Sequence, residues 1–93
     1  MKAFRWNPRK NEQLKADRGV SCEEMVLAIE SGGLLDVVEH PNAKRYPNQG
    51  VYVVVIASYV YLVPHVEQPE YVFLKTIIPS RKATRDYGMR ETS

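Results

Sequence analysis

Three runs of β-branched and aromatic residues, Val51 to Ala57, Tyr59 to Val66 and Tyr71 to Ile78, follow one another with almost nothing between them. This spacing constrains the fold more than any other feature of the chain. Such side chains are stiff at χ1 and suit a pleated surface, so each run reads as a strand. Parallel pairing of neighbours needs a crossover of about a dozen residues or more. The breaks here, Ala57-Ser58 and Glu67-Gln68-Pro69, are far too short for one. The strands are therefore expected to join as antiparallel hairpins. The second break is a good tight turn, whereas the first lacks the usual Asn-Gly or Asp-Gly signal and leaves its register open. Leu34 to His40 adds a strand in front, followed by the Pro/Asn/Gly-rich loop Pro41 to Gly50.

The N-terminal third has helical periodicity. Asn7-Pro8 starts a helix, because Asn is a favoured N-cap and proline at the first helical position lacks only a hydrogen that no partner would use. The helix is expected to run to about Arg18 and stop at Gly19, which suits a left-handed C-terminal cap. Ser21 and Glu24 have capping-box spacing, and Val20 can staple onto Met25. Cys22, Met25, Val26 and Ile29 then form one apolar stripe ending at Gly32-Gly33, so Cys22 reads as core. Phe4 and Trp6 pack the first helix onto the sheet. After the strands, Pro79 blocks further pairing, Ser80 caps, and Arg81 to Tyr87 makes a short final helix. The expected architecture is α+β in the order α-α-β-β-β-β-α, an antiparallel four-stranded sheet with helices packed on one face.

Ninety-three residues hold a single domain, 1–93, with the tail after about residue 88 expected to fray. A 44% hydrophobic, 26% charged composition is that of a folded chain, not a disordered one. The longest apolar run, Val51 to Ala57, falls well short of the ~20 residues that span a bilayer as a helix. No membrane role is expected. The basic start Met1 to Trp6 has no apolar stretch behind it, and the lone cysteine fits a reducing compartment, so a cytoplasmic location is expected. Two histidines and Cys22 lack ligand spacing, which argues against a metal. With five glycines and no Gly-rich phosphate loop, no cofactor is expected.

Alternation along the strands assigns the sheet faces. With the turn at Glu67 to Pro69, His65 faces Tyr71 and Tyr61 faces Lys75. Val60, Leu62 and Val66 then share an aliphatic face with Val72, Leu74 and Ile78, expected beneath the helices. Tyr59, Tyr61, Val63 and His65 share the other face with Tyr71, Phe73, Lys75 and Ile77, joined by Tyr52, Val54 and Ile56. Rings with cations suit stacked bases and phosphates, which makes Tyr61 and His65 candidate RNA contacts. The same face is too apolar to stay bare in a monomer, and the plainer reading is that protein covers it, another chain included.

The net charge of +2 conceals a pattern. Residues 1–18 carry six Lys/Arg against two acids, residues 19–70 two against seven, and residues 71–93 five against two. The densest basic cluster is Lys75, Arg81, Lys82 and Arg85. Arg81 and Arg85 are four apart on one helix face, where like charges repel unless an anion or acid sits between them. Lys82 has Asp86 at the same spacing. Lys75 approaches the start of the final helix, whose dipole and free amides also favour anions. This corner is a candidate phosphate site; its plainer alternative is a solvated basic face.

Phe4-Arg5-Trp6-Asn7-Pro8, followed by Lys10 and by Arg18-Gly19-Val20-Ser21, resembles the opening of BrnT-type toxins. That opening has an aromatic-x-Trp-Asp-Pro start and a Lys-His-Gly-Val/Ile-x-Phe helix hairpin. Ile77-Ile78-Pro79-Ser80-Arg81-Lys82-Ala83-Thr84, followed by Tyr87, is similar to the family's Ile-Ile-Ser-Ala-Arg-Arg-Ala-Thr block. The chain departs from the pattern at Asn7 for the Asp, Arg18 for the His, Cys22 for the Phe and Pro79 for the Ser.

The resemblance implies a RelE-like fold and the toxin half of a toxin–antitoxin pair. It also implies a metal-independent endoribonuclease that inhibits translation, with the RNA 2′-hydroxyl as nucleophile. A cognate antitoxin protein is then expected over the aromatic sheet face, in a homo- or hetero-oligomer. On this basis Arg81, Lys82 and Tyr87 are candidate catalytic residues, and Lys75 joins them from the charge argument. Arg85, Tyr61, His65 and Lys10 are candidate RNA-binding residues. The alternative is a non-catalytic RelE-like interaction module that binds a partner protein or RNA.

Overall fold

The computed structural model describes the backbone of residues 2–92 and the side chains of residues 2–88. Strand β1 (Ala3–Trp6) leads into helices α1 (Pro8–Arg18) and α2 (Cys22–Glu30). Strands β2 (Leu34–Glu39), β3 (Gln49–Ile56) and β4 (Tyr59–Glu67) follow. Then come β5 (Tyr71–Leu74), β6 (Ile78–Pro79) and helix α3 (Arg81–Thr92). The fold is α+β, with a mostly antiparallel six-stranded sheet in the order β1-β5-β4-β3-β2, β6 pairing with β4.

Local signals build the helices. The Asn7 side chain accepts the amides of Arg9 and Lys10 at 2.9 and 3.2 Å. Gly19 takes φ 68°, a left-handed value, and its N–H donates to the Lys15 carbonyl. Ser21 Oγ accepts the Glu24 amide at 3.1 Å, which starts α2. Capping rules do not foresee the weld between the two helices. Asn11 is 3% exposed; it accepts the Cys22 amide at 2.8 Å and donates to Glu23 Oε1 at 2.6 Å. A buried amide is tolerable here because both of its ends are bonded. Leu14, Val20, Cys22, Met25 and Ile29 then pack onto Val54, Val63, Val72, Leu74 and Ile77, with Phe4 and Trp6 against that core.

The sheet has six strands rather than four. The missed edge is β1, whose four residues are too few to show a pattern by themselves. It runs parallel to β5, with Ala3 opposite Tyr71 and Trp6 opposite Leu74. The expected strand Tyr71 to Ile78 is broken into β5 and β6, because its register on β4 shifts between His65–Leu74 and Leu62–Ile78. The shift turns Ile77 inward to full burial and leaves Ile78 41% exposed, the reverse of simple alternation.

The β4–β5 register also differs from expectation. His65 lies opposite Leu74, not Tyr71, and Tyr61 lies opposite Pro79, not Lys75. For His65 the offset is an odd number of residues, and an odd slip moves a strand's side chains to the other face. The Tyr61-Val63 face of β4 therefore joins Val72 and Leu74. With Tyr52, Val54 and Ile56, this mixed face is the one that packs with α1 and α2.

The aliphatic residues Val55 and Val60, paired with each other, point the opposite way. There they meet Thr84, Tyr87 and Gly88 of α3. Helices thus pack on both faces of the sheet, not one. The β3–β4 turn uses Ala57 and Ser58 at φ 50° and 66°, a two-residue left-handed turn made without glycine. The backbone of α3 continues past Tyr87 to Thr92. The fraying expected after residue 88 concerns side chains outside the described residues.

Candidate nucleic-acid interface

The fold brings part of the two basic chain ends together. Trp6 pairs with Leu74, so the first turn of α1, with Arg9 and Lys10, leaves the sheet beside Lys75. At the far end of α1 the Arg18 guanidinium donates to the Ile77 carbonyl, inside the gap between β5 and β6. The chain leaves that gap through β6 directly into Arg81 and Lys82. Lys75 and Arg18 therefore border one interruption in the sheet, and Arg81 follows it in the chain after β6 and Ser80.

The start of α3 is held firmly. Ser80 Oγ accepts the Ala83 amide at 3.0 Å, and Thr84 Oγ1 donates to the Ser80 carbonyl at 2.7 Å. The same Thr84 oxygen accepts the Val60 amide at 2.8 Å, which ties the helix to β4. Lys75, Arg81, Lys82 and Arg85 are all exposed. Among the described residues no carboxylate pairs with Lys75, Arg81 or Lys82. Asp86 lies 3.7 Å from Arg85 Nε instead of on the expected Lys82. Both members of that pair are well exposed, so it is weak and easily displaced by an anion.

Other N-terminal cations are engaged elsewhere. Lys2 pairs with Glu67 at 3.1 Å and donates to the Gln68 carbonyl at 2.9 Å. Lys15 pairs with Glu12 at 2.9 Å. The Arg5 guanidinium sits 5.1 Å from the Tyr71 ring centroid. That leaves Arg9, Lys10 and Arg18 with no carboxylate partner among the described residues.

Two of the expected site residues are not brought there. His65 is 6% exposed on the core face, stacked on Tyr52, with Nδ1 3.3 Å from the Val63 carbonyl. Burial lowers its pKa and holds it neutral, so its place is structural. Tyr87 Oη donates to Asp36 Oδ2 at 3.0 Å on β2, with β3 and β4 between it and Lys75. Tyr61 is half-buried at the rim of the core and reaches the corner's end of the sheet through its pairing with Pro79.

Arg18 is the residue that reasoning from local pattern missed. Its signal was present as a basic residue in the last turn of α1, at the position where the toxin pattern has its helix-hairpin His. Arg18 keeps several N–H donors beyond the one on Ile77, in the planar fork that suits phosphate. The corner can thus hold a polyanion and stabilise charge building on a phosphate. Among the described residues no group of three or more His, Cys, Asp or Glu side chains could hold a metal ion, and no helix is long and apolar enough to cross a membrane. No family model, curated protein or solved structure matches the chain.

Proposed function

We propose that this chain is the RNA-directed toxin of a toxin–antitoxin pair with RelE-like architecture, acting in the cytoplasm. Lys75, Arg81, Lys82 and Arg18 hold the RNA backbone at the β5–β6 gap, with Arg85 and Lys10 on its flanks. The observation that carries this reading is the Arg18–Ile77 bond, which joins the two basic chain ends at one corner. Cleavage would proceed by attack of the 2′-hydroxyl on the neighbouring phosphate, forming a 2′,3′-cyclic phosphate as the P–O5′ bond breaks; the 2′ proton passes to water and the departing 5′-oxygen takes one from water. The permanent cations stabilise the charge that develops there without a metal. A cognate antitoxin belongs to the proposal. The aromatic face expected to receive it is occupied by α1 and α2, so neutralisation falls on the basic corner itself. In the Lys75→Ala/Arg81→Ala double variant, RNA cleavage and growth arrest are expected to disappear while the melting temperature stays nearly unchanged. Undiminished cleavage overturns the site assignment.

A second reading, binding without cutting, is favoured by one observation: His65 and Tyr87 are both engaged away from the corner. Protein that shifts RNA yet leaves it intact over hours supports that reading. Binding to phosphates makes log affinity fall with log salt by about 0.7 per contact. A flat salt dependence removes RNA from both readings and leaves a protein partner.

A further inference from the structure

The two edges of the sheet are guarded unequally. β1 is four residues long and carries Arg5 in its middle. β2 has neither Lys nor Pro, and shows Val37 at 54% and Val38 at 45% exposure on opposite faces. An edge strand with two exposed valines is a template for another strand, and its only guards are the acids Asp36 and Glu39. The His40 amide donates to the Gln49 carbonyl at 3.1 Å, so by alternation Val38 and Asp36 also bond toward β3. The N–H and C=O of Val37 and Glu39 consequently point outward. Asp36 Oδ1 accepts the Val37 amide at 2.8 Å, plugging that donor with its own side chain.

We infer that β2 pairs with β2 of a second copy of this chain, antiparallel, with Val38 opposite Val38. Two copies related by a twofold axis through the sheet must match faces, which leaves registers centred on Val37 or on Val38. Centring on Val37 sets the Asp36 carboxylate against Val38 and Glu39 against Leu35. Centring on Val38 sets Asp36 against His40 of the second copy, an acid against a base, and Val37 against Glu39. The hydrogen bond this pairing allows across the seam selects the second.

His40 Nδ1 accepts the Asn42 amide at 2.9 Å, so the ring proton sits on Nε2 and can be donated to Asp36. The Val37 amide, released by Asp36, donates to the Glu39 carbonyl of the other copy. The bulge between Leu34 and Asp36 ends the seam on one side, and Pro41, lacking an N–H, ends it on the other. So short a seam gives a weak dimer.

The test uses the full chain. Sedimentation across a wide concentration range is expected to show monomer–dimer exchange. In this register Val38 and its copy form a non-hydrogen-bonded pair with Cα atoms about 4.5 Å apart, close enough for a disulfide. Val38→Cys should therefore oxidise to a covalent dimer and Val37→Cys should not, with native Cys22, 2% exposed, giving no background. Val37→Pro removes an outward amide from each copy without touching the bonds to β3. It should weaken association on the order of thirtyfold while the circular dichroism spectrum is kept. His40→Asp should weaken the dimer and His40→Lys should retain it. Monomer at every concentration, equal crosslinking at both positions, or a dimer indifferent to Val37→Pro overturns the inference.

Discussion

The Tyr52 and His65 rings lie stacked on neighbouring strands of the core face, 3.7 Å between centroids and 11° from parallel. The stack needs Gly50 opposite it on β3. A Cβ at Gly50 would come within 3.3 Å of the His65 ring and 2.8 Å of the Val38 carbonyl. Sequence, packing and protonation state are thus linked at one point: a glycine admits the ring, the ring fills the core, and burial keeps it neutral.

That burial makes stability depend on pH. The His65 pKa is lowered from its ordinary 6.5 first by desolvation, against upward pulls from the Val63 carbonyl and Glu67. As pH falls, the unfolded chain takes up this proton before the folded one does. The contribution is complete above about pH 6.5 and is lost as pH falls below it toward the folded value. His65→Phe keeps the stack and removes the titration. The fall in melting temperature between about pH 7.5 and pH 5 should therefore be smaller in His65→Phe than in the parent chain.

Asn11 is expected to be the most sensitive polar residue of the helix hairpin. Asn11→Ala strands the buried Cys22 amide, which accounts for about 1–3 kcal/mol of stability in a urea titration. If the weld mattered little, the midpoint would stay within the scatter of an exposed substitution such as Glu12→Ala.

The β3–β4 turn is improvable. Ala57 and Ser58 both sit at positive φ, where residues with a Cβ are strained and Asn-Gly is favoured. Replacing the pair by Asn-Gly should raise stability by about 1–2 kcal/mol, read as a higher melting temperature with unchanged RNA binding. A lower melting temperature would show that the turn is not of this type.

Arg18 links stability to the proposed function. Arg18→Met keeps the aliphatic stem and removes the donor to Ile77, with an expected loss of about 1–2 kcal/mol. In RNA binding the same variant should lower the salt slope by about 0.7, one phosphate contact. Loss of stability with an unchanged slope would make Arg18 structural alone.

The helices were legible because their signals are local. Asn7, Gly19 and Ser21 act within a turn of themselves, and each does so in the structure. Hairpin connectivity was legible for a similar reason, since two- and three-residue breaks permit nothing else. The faces of the sheet were not. The β4–β5 register depends on which pairing buries Val72, Leu74 and Ile77 together, and the strand break that turns Ile77 inward is paid for by that burial. β1 was invisible because a four-residue strand exists only through its partner.

By itself, then, the sequence determined the α+β class, the limits of α1, the start of α2 and the antiparallel hairpins, all set by interactions within a few residues. It also determined that positive charge lies at both chain ends. Only the tertiary structure decided which sheet face α1 and α2 cover, that His65 is core, and that Arg18 meets the segment between Lys75 and Arg81. Those outcomes rest on pairings between residues far apart in the chain. A slip of an odd number of positions reverses such a pairing, and only the burial of the whole core tells one register from the next.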